Sequence, residues 1–150
     1  LGYWTGEKNL SANKQSSNSN TKYEQETMED VASYPILPIP ERFISKAAAE
    51  HYQIRTAVNP KDGKTPIAHY FPYTIDGEIV GYKKRDLTIP KVAPFHFSTV
   101  GFQSAKCDVF GAMSSNKTGG KKLFITEGEY DCAATWSVLK EKYPQGNPTV

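Results

Sequence analysis

At 150 residues the chain is long enough for one domain with a substantial core. Its 18 basic and 16 acidic residues leave a net charge of +2, so bulk electrostatics argue neither for nor against a nucleic-acid partner and local clustering has to decide. The two cysteines, Cys107 and Cys132, are far apart and lie near no second ligand at metal spacing; this excludes a zinc site within the segment, argues against a disulfide scaffold and favours a reducing compartment.

No apolar run is long enough for a membrane span and no signal-peptide layout is present, so a soluble chain is expected. The start at Leu1 and the ending Asn147-Pro148-Thr149-Val150, with no closing element, suggest a piece of a longer protein. Residues 1–33 are polar, with Leu10 and Met28 as the only sizeable aliphatic residues between Lys8 and Asp30. Such a stretch buries too little surface to offset its ordering entropy and is expected to be a disordered linker.

Pro35, Pro38 and Pro40 then enforce an extended path until Ser45, which is placed to cap a helix over SKAAAEHY. Ile54 to Val58 is expected to be a strand, followed by the turn cluster NPKDGK. The alternating IAHYFPYTI leads through Asp76-Gly77, the strongest hairpin signal in the chain, into EIVGYKKRDL, and a small antiparallel meander results. Thr88 to Gly101 is expected to be a loop or an interrupted edge, KCDVFGAM is a short apolar piece of undetermined type, and Asn116 to Gly120 is a further turn. Leu123 to Thr126 fits a buried strand, and the helix after it aligns Cys132, Trp136, Leu139 and Tyr143 on one stripe before Pro144. Strand, bend and helix open a βαβ unit, in which ligands sit beyond the strand's carboxyl end.

Glu127, Glu129 and Asp131 crowd that bend. Carboxylates are favoured in any helix's first turn, so stability alone is one explanation. The other is chemical: Gly128 permits a tight turn, and Glu127 and Asp131, four residues apart, return to one side over the strand end. Two converging carboxylates suit Mg²⁺, a hard cation that keeps waters for phosphate oxygens. On period-two alternation Lys83 and Arg85 share a face, with Lys84 on the other, and form either a phosphate clamp or a charged, solvated edge. Phe95-His96-Phe97 after Pro94 looks first like a core plug, with base stacking by His96 as the alternative. His51 and His69 look structural.

The stretch LFITEGEYD resembles the first motif of the Toprim fold, an apolar strand followed by Glu-Gly and an Asp three residues beyond. With ERFISKAAAEHYQI, DGEIVGYKKRD and CDVFGAM in the same order, the region from about Pro40 to Val150 is similar to the bifunctional primase-helicases of tailed DNA phages, relatives of the mitochondrial helicase Twinkle. That resemblance implies an α+β fold in three parts: a linker over 1–33, an amino-terminal subdomain of the polymerising domain over 34–118, and the first β-α unit of a Rossmann-like Toprim subdomain over 119–150. It implies RNA primer synthesis on single-stranded DNA from ribonucleoside triphosphates with Mg²⁺ in the host cytoplasm, a downstream ring-forming helicase, and zinc only in an upstream domain.

By the same resemblance, Glu127 corresponds to the family's acid-base and metal-associated glutamate and Asp131 to its supporting carboxylate. Lys83 and Arg85 fall on the family's basic strand beside the active site, and Lys122 is a candidate phosphate neighbour or an ordinary solvated residue. Glu129 matches the phage subgroup without an assigned role. Two departures stand out. The loop after the basic strand offers Lys91, Ser98 and Thr99 where the family usually carries more lysines, and the second Toprim motif, Asp-x-Asp, is expected beyond Val150. Without that motif the segment alone is expected to make no primers. A catalytically silent DNA-binding region and another Toprim enzyme, a nuclease or topoisomerase, are the alternatives.

Overall fold

The computed structural model describes residues 25–112 and 121–150. The linker expected before residue 25 and the turn expected over 116–120 lie outside the described residues. In chain order the elements are α1 (Met28–Ser33), a 3-10 turn (Pro40–Arg42), α2 (Lys46–His51), β1 (Arg55–Val58), β2 (Pro66–Ile75), β3 (Glu78–Asp86), β4 (Phe97–Gly101) and α3 (Glu129–Lys142). The fold is mixed α/β, built on one antiparallel sheet of order β1-β2-β3-β4.

Local chemistry accounts for most of these elements. Ser45 caps α2 by accepting a hydrogen bond from the Ala48 amide at 3.2 Å. Asp76 and Gly77 both adopt positive φ, 49° and 89°, which matches the two-residue turn whose twist joins antiparallel strands without splaying them. β2 and β3 pair from Ala68↔Asp86 to Ile75↔Glu78, with a bulge at Tyr73/Thr74. The proline-interrupted stretch after β3 ends in β4, an edge strand pairing Gly81↔Gly101 through Arg85↔Phe97.

Period-two alternation divides the sheet into two faces with separate cores. One face contributes Ala57, Ala68, Tyr70, Tyr82 and Val100, which pack with Val31 of α1. The linker expected to run to residue 33 therefore stops short of that point. Thr27 and Asp30 form a reciprocal capping box around α1, Val31 is fully buried, and the Glu26 carboxylate accepts from Tyr70 at 2.6 Å, Tyr34 at 2.9 Å and Lys84 at 2.9 Å. Burial pushes the Glu26 carboxyl up, but these three donors outweigh it and hold the group below its ordinary range. A polar stretch thus orders here because a few specific hydrogen bonds and one aliphatic side chain anchor it.

The other face presents Phe71 to a core that contains Ile39, Ile44, Ala48 and Ala49, Tyr52 and Ile54 together with Cys132, Ala133, Trp136 and Val150. Helix α3 shares this core with α2, and the two are tied by the Ser45 amide donating to Ser137 Oγ at 3.0 Å. Of the expected α3 stripe, Cys132 and Trp136 are buried, Leu139 is half-buried, and Tyr143 lies exposed at the helix end.

The strand expected over Leu123–Thr126 is the main correction among the elements. It forms a single parallel bridge, Leu123↔Thr149, supported by the Phe124 amide donating to the Thr149 carbonyl at 3.0 Å. Leu123, Phe124 and Ile125 are exposed, so the run is not buried. Among the described residues its one β-pairing is that bridge, and Phe124 lines an open cleft with Leu139 of α3 and Tyr143 at the helix end. The parallel bridge across α3 nevertheless has the connectivity of a βαβ crossover.

Candidate functional site

The acidic bend meets the sheet where α3 begins. Gly128 takes the N-cap position in an extended conformation, so the first turn of α3 carries Glu129 and Asp131 against its free amides. Tyr130 inserts between them and the sheet. Its ring meets the edge of Phe71 at 4.8 Å and lies under the Arg42 guanidinium at 5.0 Å, and its hydroxyl is 2.8 Å from His69 Nδ1. Burial pushes the Tyr130 hydroxyl up to about 12 and the buried His69 imidazole down to about 4, with Arg42 and Arg85 adding to the latter and Glu41 opposing it. At neutral pH this pair is therefore an uncharged hydrogen bond that fastens the helix to the sheet, in keeping with a structural His69.

The sheet supplies the basic side. Lys83 and Arg85 do share a face, and Lys84 points to the other, where it meets Glu26. Lys83 Nζ donates to both oxygens of Glu129, at 2.9 and 3.1 Å, and lies 4.7 Å from the centre of the Phe97 ring. Glu129 is the residue that sequence reasoning left without a role. Its partner is 46 positions away, so no spacing along the chain signals the contact.

Arg85 is placed differently from a free phosphate clamp. It is 6% exposed, and its guanidinium donates to the backbone carbonyls of Asp86, Ile89 and His96 while lying 5.6 Å from the Phe97 ring centre. Its donors therefore organise the loop between β3 and β4, which leaves Lys83 as the more accessible cation of the pair. Lys122 sits elsewhere, in an open cleft of about 900 Å³ with Lys121, Lys142 and Tyr143 near the carboxyl end of α3. Fourteen helical residues span roughly 20 Å, so Lys122 is not brought together with the acidic bend at the other end.

Glu127 and Asp131 are both exposed, and neither forms an ion pair among the described residues. An Asp131 carboxylate oxygen stands 3.7 Å from where a side chain on Gly128 would begin, so the aspartate leans back over the bend. Two solvent-facing carboxylates with hard oxygen donors fit Mg²⁺ in the form in which it retains most of its waters. Among the described residues no cluster of three or more His, Cys, Asp or Glu side chains is assembled for a metal.

The aromatic trio does not plug the core. Phe95 is 85% exposed and Phe97 43% exposed, and His96 is half-buried with Nδ1 2.8 Å from the Ala93 carbonyl. Phe97 opens β4, which among the described residues has no further neighbour in the sheet, and Phe95 lies in the loop two residues before it. Among the described residues no helix is long and apolar enough to cross a membrane. Comparison with known proteins returns no matching family model, no matching curated protein and no matching solved structure.

Proposed function

We propose that the chain belongs to a replicative primase-helicase of the tailed-phage type and contributes part of its Toprim-containing, RNA-polymerising domain. One observation carries the reading. The Lys83–Glu129 ion pair holds the acidic bend against the basic strand while Glu127 and Asp131 remain outward and unpaired. Carboxylates that served only the first turn of a helix have no need of a basic strand at the same place, whereas phosphoryl transfer requires both a cation-holding group and positive charge beside the reacting phosphates.

In this reading Glu127 and Asp131 would supply part of a Mg²⁺ site, completed by the Asp-x-Asp motif expected beyond Val150, and the ion would supply neutralisation of charge on the reacting phosphate. Glu127 also accepts the proton of the primer hydroxyl. Lys83 faces nucleotide or template phosphates, and Arg85 keeps the β3–β4 loop shaped around them. Primer synthesis by the open reading frame that carries this chain is the test. Glu127→Gln keeps the side chain's size and removes its charge, and is expected to lower primer synthesis on single-stranded DNA by about 100-fold or more. Asp131→Asn is expected to produce a smaller loss that higher Mg²⁺ partly restores. Unchanged synthesis in Glu127→Gln rejects the assignment, and single-stranded DNA binding without synthesis in the unaltered protein favours the catalytically silent alternative.

Glu129 also has a predicted part. By neutralising Lys83 it lowers the local positive potential, so Glu129→Gln is expected to tighten single-stranded DNA binding by about threefold to tenfold at low salt. Fluorescence anisotropy with a labelled oligonucleotide measures this. Weaker binding would instead mean that the carboxylate is needed to hold Lys83 in place.

A further inference from the structure

We propose that Phe95 and Phe97, at the open edge of the sheet, form a stacking platform for the bases of single-stranded nucleic acid, with Lys83 beside it for the adjoining phosphate. The inference rests on the proposed nucleic-acid partner but not on catalysis by Glu127. Phe97 is directly opposite Arg85 in the ladder and diagonal to Lys83, and both cations lie within 6 Å of its ring centre, at 5.6 and 4.7 Å. The His96 ring also leans on it, with centroids 4.6 Å apart, and the part of the Phe97 ring that stays exposed offers its surface to another π-system.

Phe95 adds a second ring two residues earlier. Its backbone is left-handed, with φ 68°, a region that a bulky side chain adopts at an energetic penalty. Core packing does not offset that penalty, because the ring is 85% exposed. Val92, in the same loop, is 96% exposed, so the loop that Arg85 holds through the Ile89 and His96 carbonyls presents two large apolar side chains to solvent. Glu129 offsets one of the two charges, so the patch stays net positive through Arg85, and Lys83 is free for a phosphate once that phosphate displaces Glu129; a flexible polyanion carrying flat apolar rings matches exposed aromatics beside such a charge. A protein surface would match the rings alone, and a folded duplex keeps its base faces stacked internally.

The test separates base from phosphate recognition using the 150-residue chain and two oligonucleotide probes. One is an octamer of deoxythymidine, and the other is the same backbone with abasic sites. The unaltered chain is expected to bind the first about tenfold more tightly, since stacking is worth that much per base. Phe97→Leu and Phe95→Gly are each expected to reduce that preference, and Phe97→Trp to retain it. Phe95→Gly relieves the left-handed backbone, so loss of folding does not confuse its result. Lys83→Ala is expected to weaken both probes equally and to flatten the salt dependence.

Equal binding of the two probes, or an undiminished preference in both phenylalanine variants, overturns the platform while leaving the proposed function standing. Failure of the unaltered chain to bind either probe overturns the platform and counts against the nucleic-acid reading as well. A change of oligomeric state in Phe95→Gly with no change in probe preference identifies the patch as a self-association surface and also overturns it.

Discussion

Phe71→Ala lowers the stability of the chain by about 3 to 5 kcal/mol, the range for removing a large aromatic side chain from a packed interior. Phe71 is 1% exposed on β2 and contacts the rings of Tyr130 and Phe110, with centroids 4.8 and 5.9 Å away. It belongs to the cluster that joins α2, α3 and the sheet. The loss therefore has two parts, the transfer of an aromatic ring back to water and a cavity that a rigid sheet strand cannot collapse around. Because domains of this size are stable by only about 5 to 15 kcal/mol, the variant should sit near its unfolding transition at physiological temperature.

Urea denaturation followed by tryptophan fluorescence measures this, with the midpoint falling and the slope unchanged. Phe71→Leu retains most of the volume and should lose much less. Tyr130 leans on the same ring, so the alanine variant should also loosen the start of α3 and with it the Lys83–Glu129 contact. A loss under about 1 kcal/mol in Phe71→Ala would mean that α3 is not anchored to the sheet through this residue.

Lowering the pH from neutral to about 4 should remove about 3 kcal/mol of stability through His69, with about 2 kcal/mol of it gone by pH 5, above the range in which most carboxylates titrate. Burial holds the His69 imidazole down to about 4 in the folded protein, with Arg42 and Arg85 contributing in the same direction and Glu41 against it. In the unfolded chain it titrates near 6.5. The unfolded state therefore takes up a proton first as the pH falls. Stability is complete above 6.5, declines between 6.5 and about 4, and has no further dependence on this group below that.

His51 contributes in the same direction, because burial chiefly, and Lys140 secondarily, lower its pKa. Glu26 acts later, as acid neutralises a carboxylate whose folded pKa lies below 4.5. Equilibrium unfolding at intervals between pH 7 and pH 4.5, compared between the unaltered chain and His69→Gln, isolates the effect. The glutamine removes the titrating group while keeping an acceptor for Tyr130. Parallel stability curves for the two proteins over that interval would refute a buried, neutral His69.

Local signals were sufficient for Ser45 as a helix cap, for Asp76-Gly77 as the hairpin turn and for the placement of Lys83 and Arg85 on one face, because each follows from geometry within a few residues. Where sequence reasoning missed, the deciding contact was distant. Glu26 meets Tyr70, 44 positions on, and converts the end of an expected linker into a docked helix. Leu123 to Ile125 have a strand's apolar composition but one bridge to Thr149, since burial depends on which neighbours arrive and not on the run itself.

The candidate site shows the same division. Glu127-Gly128-Glu129 and Asp131 were legible as an acidic bend at a helix start because helix periodicity and glycine's freedom are local properties. Only the tertiary structure decided that Glu129 neutralises Lys83, that Arg85 turns inward to backbone carbonyls, that Lys122 lies at the far end of α3, and that Phe95 and Phe97 face solvent. Alternation along a strand states which residues share a face; what covers that face is set by the packing of segments remote in sequence.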